Sequence, residues 1–234
     1  MADVNPARPS RRDRARATRR RIIHAAQKVF TGHGYAGARM IDIAAEAGVA
    51  VQTVYFTFHT KAELLQACYE LAVLGENDPR PPPAQPWYTA ILEATDGRAA
   101  IRHFAEGNSA IAARVALLDD VVRAAAHEPD AAQVRAHNER LRRDGYTRIV
   151  GHLASRFGLR GGLDPADAVD ILLTLAGPAT YRSLVADYGW PHDRFVDWLT
   201  ATLSQQLLPD SPSAKRTAHI GPHGGLEKRP RLRP

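Results

Sequence analysis

Hydrophobic side chains recur along this chain at helical spacing, most sharply in the stretch from Met40 to Phe58. Four apolar residues fall at i, i+3, i+4 and i+7, the spacing of one helix face: Met40, Ile43, Ala44 and Ala47. Gly48 predicts the end of that helix, because glycine takes the left-handed C-cap conformation without strain. A second short helix is expected to start near Val51, with Val49 and Val54 packed across its beginning. Two short helices joined by a glycine turn predict a helix-turn-helix, whose second helix enters the DNA major groove.

The second short helix has one inward face and one polar, aromatic face. Val54 and Phe58, four residues apart, can point into a core together. The outward positions then carry side chains that suit DNA, since Gln reads base edges and Thr and Tyr hydroxyls hold phosphates; they are Gln52, Thr53, Tyr55 and Phe56. Taken alone, the pattern leaves open an ordinary pair of antiparallel helices in a bundle.

Helical stripes also cover the rest of the chain, and no strand-like alternation is present, so the predicted fold is all-α. The first helix is expected at residues 14–31. Thr60 and Glu63 form a capping box that opens the fourth helix. Pro178 is expected to interrupt a nearly all-apolar helix, because proline removes a backbone hydrogen-bond donor.

Charge is distributed unevenly along the 234 residues, whose net charge is +6. Residues 1–36 carry nine Lys and Arg against two acids, residues 210–234 carry six against two, and the remainder is net acidic. Basic ends around an acidic body indicate that only part of the molecule meets a polyanion. The chain shows neither a run of apolar residues long enough to span a membrane nor a signal peptide, and the expected compartment is the cytoplasm. The single cysteine, Cys68, excludes an intrachain disulfide and is expected in the core.

From Thr18 to Phe58, and on into the lysine-capped fourth helix, the order of motifs resembles the DNA-binding domain of TetR-family transcriptional regulators. The residues that carry the resemblance are Ala25-Ala26, Phe30, Gly34-Tyr35, Ile43-Ala44, Ala47-Gly48-Val49, Thr53, Tyr55, Phe58, Lys61 and Leu64-Leu65. Two departures are Ala38 and Ala50, which stand where the family usually has Ser or Thr helix caps. The resemblance implies a phosphate contact at Lys61. The full set of expected DNA-contacting residues is Arg39, Met40, Val51, Gln52, Thr53, Tyr55, Phe56, His59 and Lys61.

The predicted organisation is an N-terminal helix-turn-helix domain of three helices followed by a helical ligand-binding and dimerisation bundle. We expect a disordered basic arm (1–13), the DNA-binding domain (14–59), a connecting helix and proline-rich loop (60–86), an effector and dimer domain (87–208) and a disordered basic tail (209–234). In the tail, His219 and His223 are four residues apart, but Gly221 and Pro222 between them argue against a helical metal site.

A homodimer is expected, because the last two helices carry more apolar surface than one small core can bury. The expected interface residues are Leu172, Leu175, Tyr181, Val185, Phe195, Trp198 and Leu199. The alternative is the internal core of one chain, which is expected to hold about half of them. The resemblance implies the same pairing, a palindromic double-stranded DNA operator, and a small-molecule effector held by the middle helices. The expected effector-contacting residues are Trp87, His103, Phe104, Ile111, Arg114, Leu118 and His137. For Arg114, an internal pair with Asp119 or Glu106 is an equally good reading.

The interpretation is a dimeric repressor that its effector releases from DNA, without catalytic residues, metal or cofactor. An enzyme is the first alternative from another class, but the chain has no HExxH pair, no phosphate-binding loop, no GxSxG motif and no GxGxxG motif that follows a strand. A helical adaptor that binds protein partners without DNA is the second. The basic N-terminal region and the outward Gln-Thr-Tyr face argue against the adaptor.

Overall fold

The computed structural model describes residues 10–76 and 79–210. Helices account for the regular structure of these two segments, which contain no strand. They are α1 (Arg11–Gly37), α2 (Met40–Ala47), α3 (Val51–Thr57), α4 (Lys61–Leu74), α5 (Pro86–Glu93), α6 (Gly97–Ala124), α7 (Pro129–Phe157), α8 (Pro165–Leu175), α9 (Pro178–Tyr181) and α10 (His192–Leu207). Most of the basic arm and of the tail, including His219 and His223, lies outside the described residues.

The first helix begins three residues earlier than the sequence predicts. Ser10 caps it by accepting a hydrogen bond from the backbone N–H of Asp13, and the Asp13 carboxylate accepts from the Ser10 N–H; both are 3.1 Å long. This reciprocal capping box stabilises the first turn, so the expectation that Arg11–Asp13 belong to a disordered arm is wrong. Gly34 breaks the helix near its end, with a φ of 68° that a side chain would disfavour.

Two hydrophobic cores hold the helices together. The first contains the inward faces of α1 to α4, including Phe30, Ile43 and Leu64, and it continues into the second half of α6 and the start of α7 through Leu118 and Val134. The buried Cys68 belongs to this core, as expected. The helices around the helix-turn-helix are therefore not an isolated unit, because α6 and α7 complete their core.

The second core lies among α5 to α10. Its largest fully buried side chains include Phe104, Leu172 and Phe195. Trp87 packs flat against Gly107, where an added Cβ would meet the indole at 2.1 Å. The glycine in α6 therefore makes room for the aromatic ring of α5.

The penultimate helical segment is interrupted where proline predicts it. Helix α8 ends at Leu175, Pro178 begins α9, and a π-helical turn follows at Arg182–Asp187. Gly189, with a φ of 69°, separates this turn from α10. No helix in the described segments is both long and apolar enough to cross a membrane.

Candidate nucleic-acid interface

The turn between α2 and α3 is built by hydrogen bonds that glycine permits. Gly48 adopts φ 63° and ψ 42°, the left-handed region. Its N–H donates to the carbonyl of Ala45 at 3.1 Å, and the N–H of Val49 donates to Ala44 at 3.0 Å. These two bonds form a Schellman motif, which satisfies the last carbonyls of α2 and fixes the direction in which α3 leaves.

Helix α3 is anchored by its inward residues and presents the rest. Val54 is fully buried and Phe58 is 3% exposed, as the spacing predicts. Gln52 and Tyr55 are exposed, and Phe56 exposes 87% of its surface. An aromatic ring so exposed on a seven-residue helix is costly unless another surface covers it. The arrangement gives α3 a free face of one amide and two rings.

Four of the expected DNA-contacting residues are less available than predicted. Met40 is 6% exposed, so the expectation that it faces DNA is wrong: it belongs to the apolar stripe of α2. Val51 is half-buried and packs on the same core. Thr53 is also half-buried. The ammonium of Lys61 donates to the Tyr35 carbonyl at 2.8 Å and lies 4.3 Å from the centre of the Tyr35 ring, so part of its binding capacity is used internally.

Arg39 and Ala50 occupy the N-cap positions of α2 and α3, and neither side chain accepts a capping hydrogen bond. Ala38 is instead buried one residue before the cap. Arg39 donates two hydrogen bonds of 2.7 Å to the Asp42 carboxylate. These bonds hold the pKa of Asp42 below its ordinary value, so the carboxylate stays charged and competes with any phosphate for the arginine.

Two exposed residues complete this face. His59 precedes the cap of α4, and its ring lies 3.3 Å from the Glu63 carboxylate. Ile41, 58% exposed on α2, is absent from the residues expected to contact DNA. Its position outside the i, i+3, i+4, i+7 stripe was the signal for its exposure.

The structure does not gather the residues expected to bind the effector. Phe104 and Leu118 are buried in different cores, and Ile111 packs against the core that contains Leu118. Trp87 is held against Gly107. In the described residues these side chains do not line one pocket, because α6 serves two cores and its apolar residues are divided between them. The effector contacts stay a prediction.

The polar residues expected in that pocket are also separated. Arg114 donates to the carbonyls of Ala72 and Val73 at 2.6 and 3.3 Å, so it caps the C-terminus of α4 and pairs with neither Asp119 nor Glu106. His103 lies 3.7 Å from the Glu106 carboxylate on the surface of α6. His137 lines an open cleft of about 760 Å³ between α4 and α7. This cleft is not the apolar pocket that was expected.

Four of the expected dimer-interface residues belong to the interior of one chain. Leu172, Tyr181, Phe195 and Leu199 are at most 8% exposed, so they hold α8, α9 and α10 of one chain together. The other three, Leu175, Val185 and Trp198, are half-buried at the rim of this core. Tyr188, 72% exposed beside them in sequence, was not expected there.

The N-terminal helices match a known family. Residues 22–68 match the model for bacterial regulatory proteins of the tetR family. Over 56 residues the chain is 43% identical to the HTH-type transcriptional regulator TtgR of Pseudomonas putida. This alignment covers 24% of this chain and 27% of TtgR. The match thus spans about a quarter of the length of this curated relative.

Solved structures of regulators share the fold over most of the chain. NalD of Pseudomonas aeruginosa superposes with a TM-score of 0.64 at 19% identity, covering 84% of this chain and all of NalD. FadR of Bacillus subtilis superposes with a TM-score of 0.61 at 17% identity, covering 79% of this chain and 96% of FadR. The matched family consists of DNA-binding regulators and not of enzymes. The N-terminal segment, residues 22–68, therefore belongs to the tetR family of bacterial regulatory proteins.

Proposed function

We propose that the chain is a homodimeric transcriptional repressor whose α3 helices read a palindromic operator and which a small-molecule effector releases from DNA. The observation that carries the proposal is the free face of α3, where Gln52, Tyr55 and Phe56 are exposed while Val54 and Phe58 anchor the helix. A helix held this way can enter the major groove with its side chains preorganised.

The contacts divide into base-reading and backbone-holding groups. Gln52, at the second position of α3, offers an amide that pairs with adenine in the major groove. Tyr55, His59 and the two free ammonium hydrogens of Lys61 are suited to phosphates. Exposed arginines along the first turns of α1 add positive charge on the same domain.

Repression and effector release rest on the comparisons. NalD is described as the secondary repressor of the MexAB-OprM multidrug efflux pump, and FadR was solved with stearoyl-CoA. An effector acts on such a regulator by favouring a conformation in which the two recognition helices no longer fit successive major grooves, about 34 Å apart. The coupling free energy for such a switch is typically about 1–3 kcal/mol.

The test is selection of binding sites from a randomised DNA library. We expect the wild-type protein to enrich a palindrome, and Gln52→Ala to lose about 1–3 kcal/mol of discrimination at one base pair of each half-site. Gln206→Ala, the same substitution at an exposed position of α10, is the matched control and should select the same palindrome as wild type. Unchanged base preferences in Gln52→Ala would contradict the base-reading role of Gln52.

A further inference from the structure

A second cleft, distinct from the one lined by His137, lies where α6 and α7 meet α8 and α9. It encloses about 580 Å³, within the range of small-molecule sites. Its charged lining consists of three arginines and two acids: Arg123, Arg142, Arg143, Glu139 and Asp170. Leu173, Thr174 and Gly177 form part of the remaining wall. We call it the Arg142 cleft.

Arg142 lines this cleft and has a hydrogen-bond donor that is not used within the protein. One terminal nitrogen, Nη2, donates to Glu139 at 2.7 Å. The other, Nη1, lies beneath Gly177, is shielded from solvent and makes no hydrogen bond in the described part of the chain, and the guanidinium carbon lies 6.0 Å from the centre of the Tyr146 ring. Such an unpaired charged donor is rare in proteins and requires a reason. Because the Arg142 side chain is 21% exposed, a small rotation of the guanidinium would bring Nη1 to the cleft, where an oxygen of a bound anion would satisfy it.

Gly177 makes this placement of the guanidinium possible. A Cβ at this position would lie 2.9 Å from Arg142 Nη1 and 2.7 Å from the carbonyl of Leu173. The break between α8 and α9 therefore opens a space that the arginine fills. The planar fork of arginine matches carboxylate and phosphate oxygens, which accept two parallel hydrogen bonds.

The other two arginines are held at the rim by single acids. Arg123 pairs with Asp119 at 2.6 Å, and Arg143 pairs with Asp170 at 2.8 Å. Both guanidinium groups are about half exposed, so each can turn towards a ligand without unfolding its helix. Leu173 and Ala179 supply apolar surface for the body of such a ligand.

We propose that the effector is a small organic anion, a carboxylate or phosphate ester, whose acidic group binds Arg142 in this cleft with help from Arg123. That the bound anion acts as an effector rests on the proposed function. The binding itself is a property of the protein free of DNA.

The test is a calorimetric titration of the DNA-free protein with three probes of similar shape. The probes are benzoate, phenyl phosphate and the neutral benzamide. We expect saturable binding of at least one anion, with a Kd of about a millimolar or tighter, and binding of benzamide at least about tenfold weaker. The stronger of the two anions identifies the acidic group. Saturation by neither anion, or equal binding of benzamide, would overturn the proposal.

Substitutions locate the site. Arg142→Met, which keeps the volume and removes the charge, should weaken anion binding at least about tenfold. Arg135→Met on the exposed side of α7 is the matched control and should bind as wild type. Arg123→Met, at a more exposed position, serves as second variant if Arg142→Met does not fold, with an expected loss of about threefold or more. Undiminished binding in the folded variants overturns the proposal.

Operator binding is measured separately on the same proteins. A protein that binds the anion at Arg142 but no DNA overturns the proposed function and leaves the anion site standing. A protein that selects an operator but binds neither anion overturns the anion site and leaves the proposed function standing.

Discussion

The side chain of Arg39 pairs with the neighbouring carboxylate of Asp42, and in the proposed complex the phosphates of DNA would compete for it. In the free protein it donates two hydrogen bonds to Asp42, and both side chains lie on the surface. An exposed pair of this kind exchanges readily with solvent and is screened by salt. Asp42 thus holds the Arg39 side chain at the start of α2 and offsets its positive charge.

We predict that Asp42→Asn strengthens binding to all DNA sequences and steepens its salt dependence. The neutral amide frees Arg39 for one more phosphate, which should increase the slope of log affinity against log salt by about one. The measurement is fluorescence anisotropy at several salt concentrations with an operator and an unrelated duplex. Glu106→Gln, which removes an equivalent partner from Arg102 on α6, should leave the slope unchanged. Equal slopes for Asp42→Asn and wild type would show that Arg39 does not reach phosphate.

Gly107 gives a prediction on stability that a sequence cannot supply. A methyl group there would overlap the Trp87 ring, so Gly107→Ala should lower the free energy of unfolding by about 1–3 kcal/mol. Gly151→Ala in α7 is the matched control: nothing lies within 4 Å of its Cβ, and removing a helical glycine should stabilise by about 0.5–1 kcal/mol. Urea denaturation compares the two. A neutral or stabilising effect of Gly107→Ala would mean that Trp87 moves aside freely.

At the scale of elements, the helix boundaries follow from local chemistry. The Schellman turn at Gly48 and the proline break at Pro178 depend only on residues close in sequence, and both were predictable. The start of α1 was missed because the capping box of Ser10 and Asp13 sits in a stretch dominated by arginines. The role of Arg114 could not be predicted, because the carbonyls it caps are about 40 residues away.

The connecting helix α4 is tied to α6 by one buried polar contact. The hydroxyl of Tyr69 donates to Asp119 at 3.0 Å, and Asp119 accepts from Arg123 through its other oxygen. Burial, followed by the charge of Asp119, raises the pKa of Tyr69, so the hydroxyl keeps its proton. An anion that draws Arg123 into the Arg142 cleft would remove its hydrogen bond to Asp119. The hydrogen bond between Asp119 and Tyr69, which links α6 to α4, would change as a result.

We predict that Tyr69→Phe separates anion binding from DNA release. The variant should bind benzoate or phenyl phosphate as wild type does, since Tyr69 does not line the cleft. Its operator affinity should respond less to the anion, because the hydrogen bond to Asp119 is gone. Operator Kd is measured with and without saturating anion. Tyr88→Phe, on α5, is the control and should respond as wild type. A full response in Tyr69→Phe would place the coupling elsewhere.

Over the whole molecule, the helices pack around two cores, and this division could not be predicted from the sequence. The all-α class and the helix-turn-helix follow from spacing and turn residues, which are local. The sharing of α6 between both cores depends on packing between distant helices, so apolar residues such as Phe104 and Leu118 could not be assigned to core or pocket beforehand. The same ambiguity placed Phe195 and Leu199 at an interface instead of the interior.

The proposed dimer can therefore be tested only with surface residues. Val185 is half-buried and Tyr188 is 72% exposed at the end of the π-helical turn, next to the rim that Leu175 and Trp198 form. We predict that Val185→Glu with Tyr188→Glu converts the dimer to monomers in sedimentation velocity, because two buried carboxylates cannot be paired across a two-fold axis. Circular dichroism confirms the fold of the variant. Ile41→Glu, which removes an equally exposed apolar side chain from α2, should remain dimeric. A folded double variant that still sediments as a dimer would move the interface away from α8, α9 and α10.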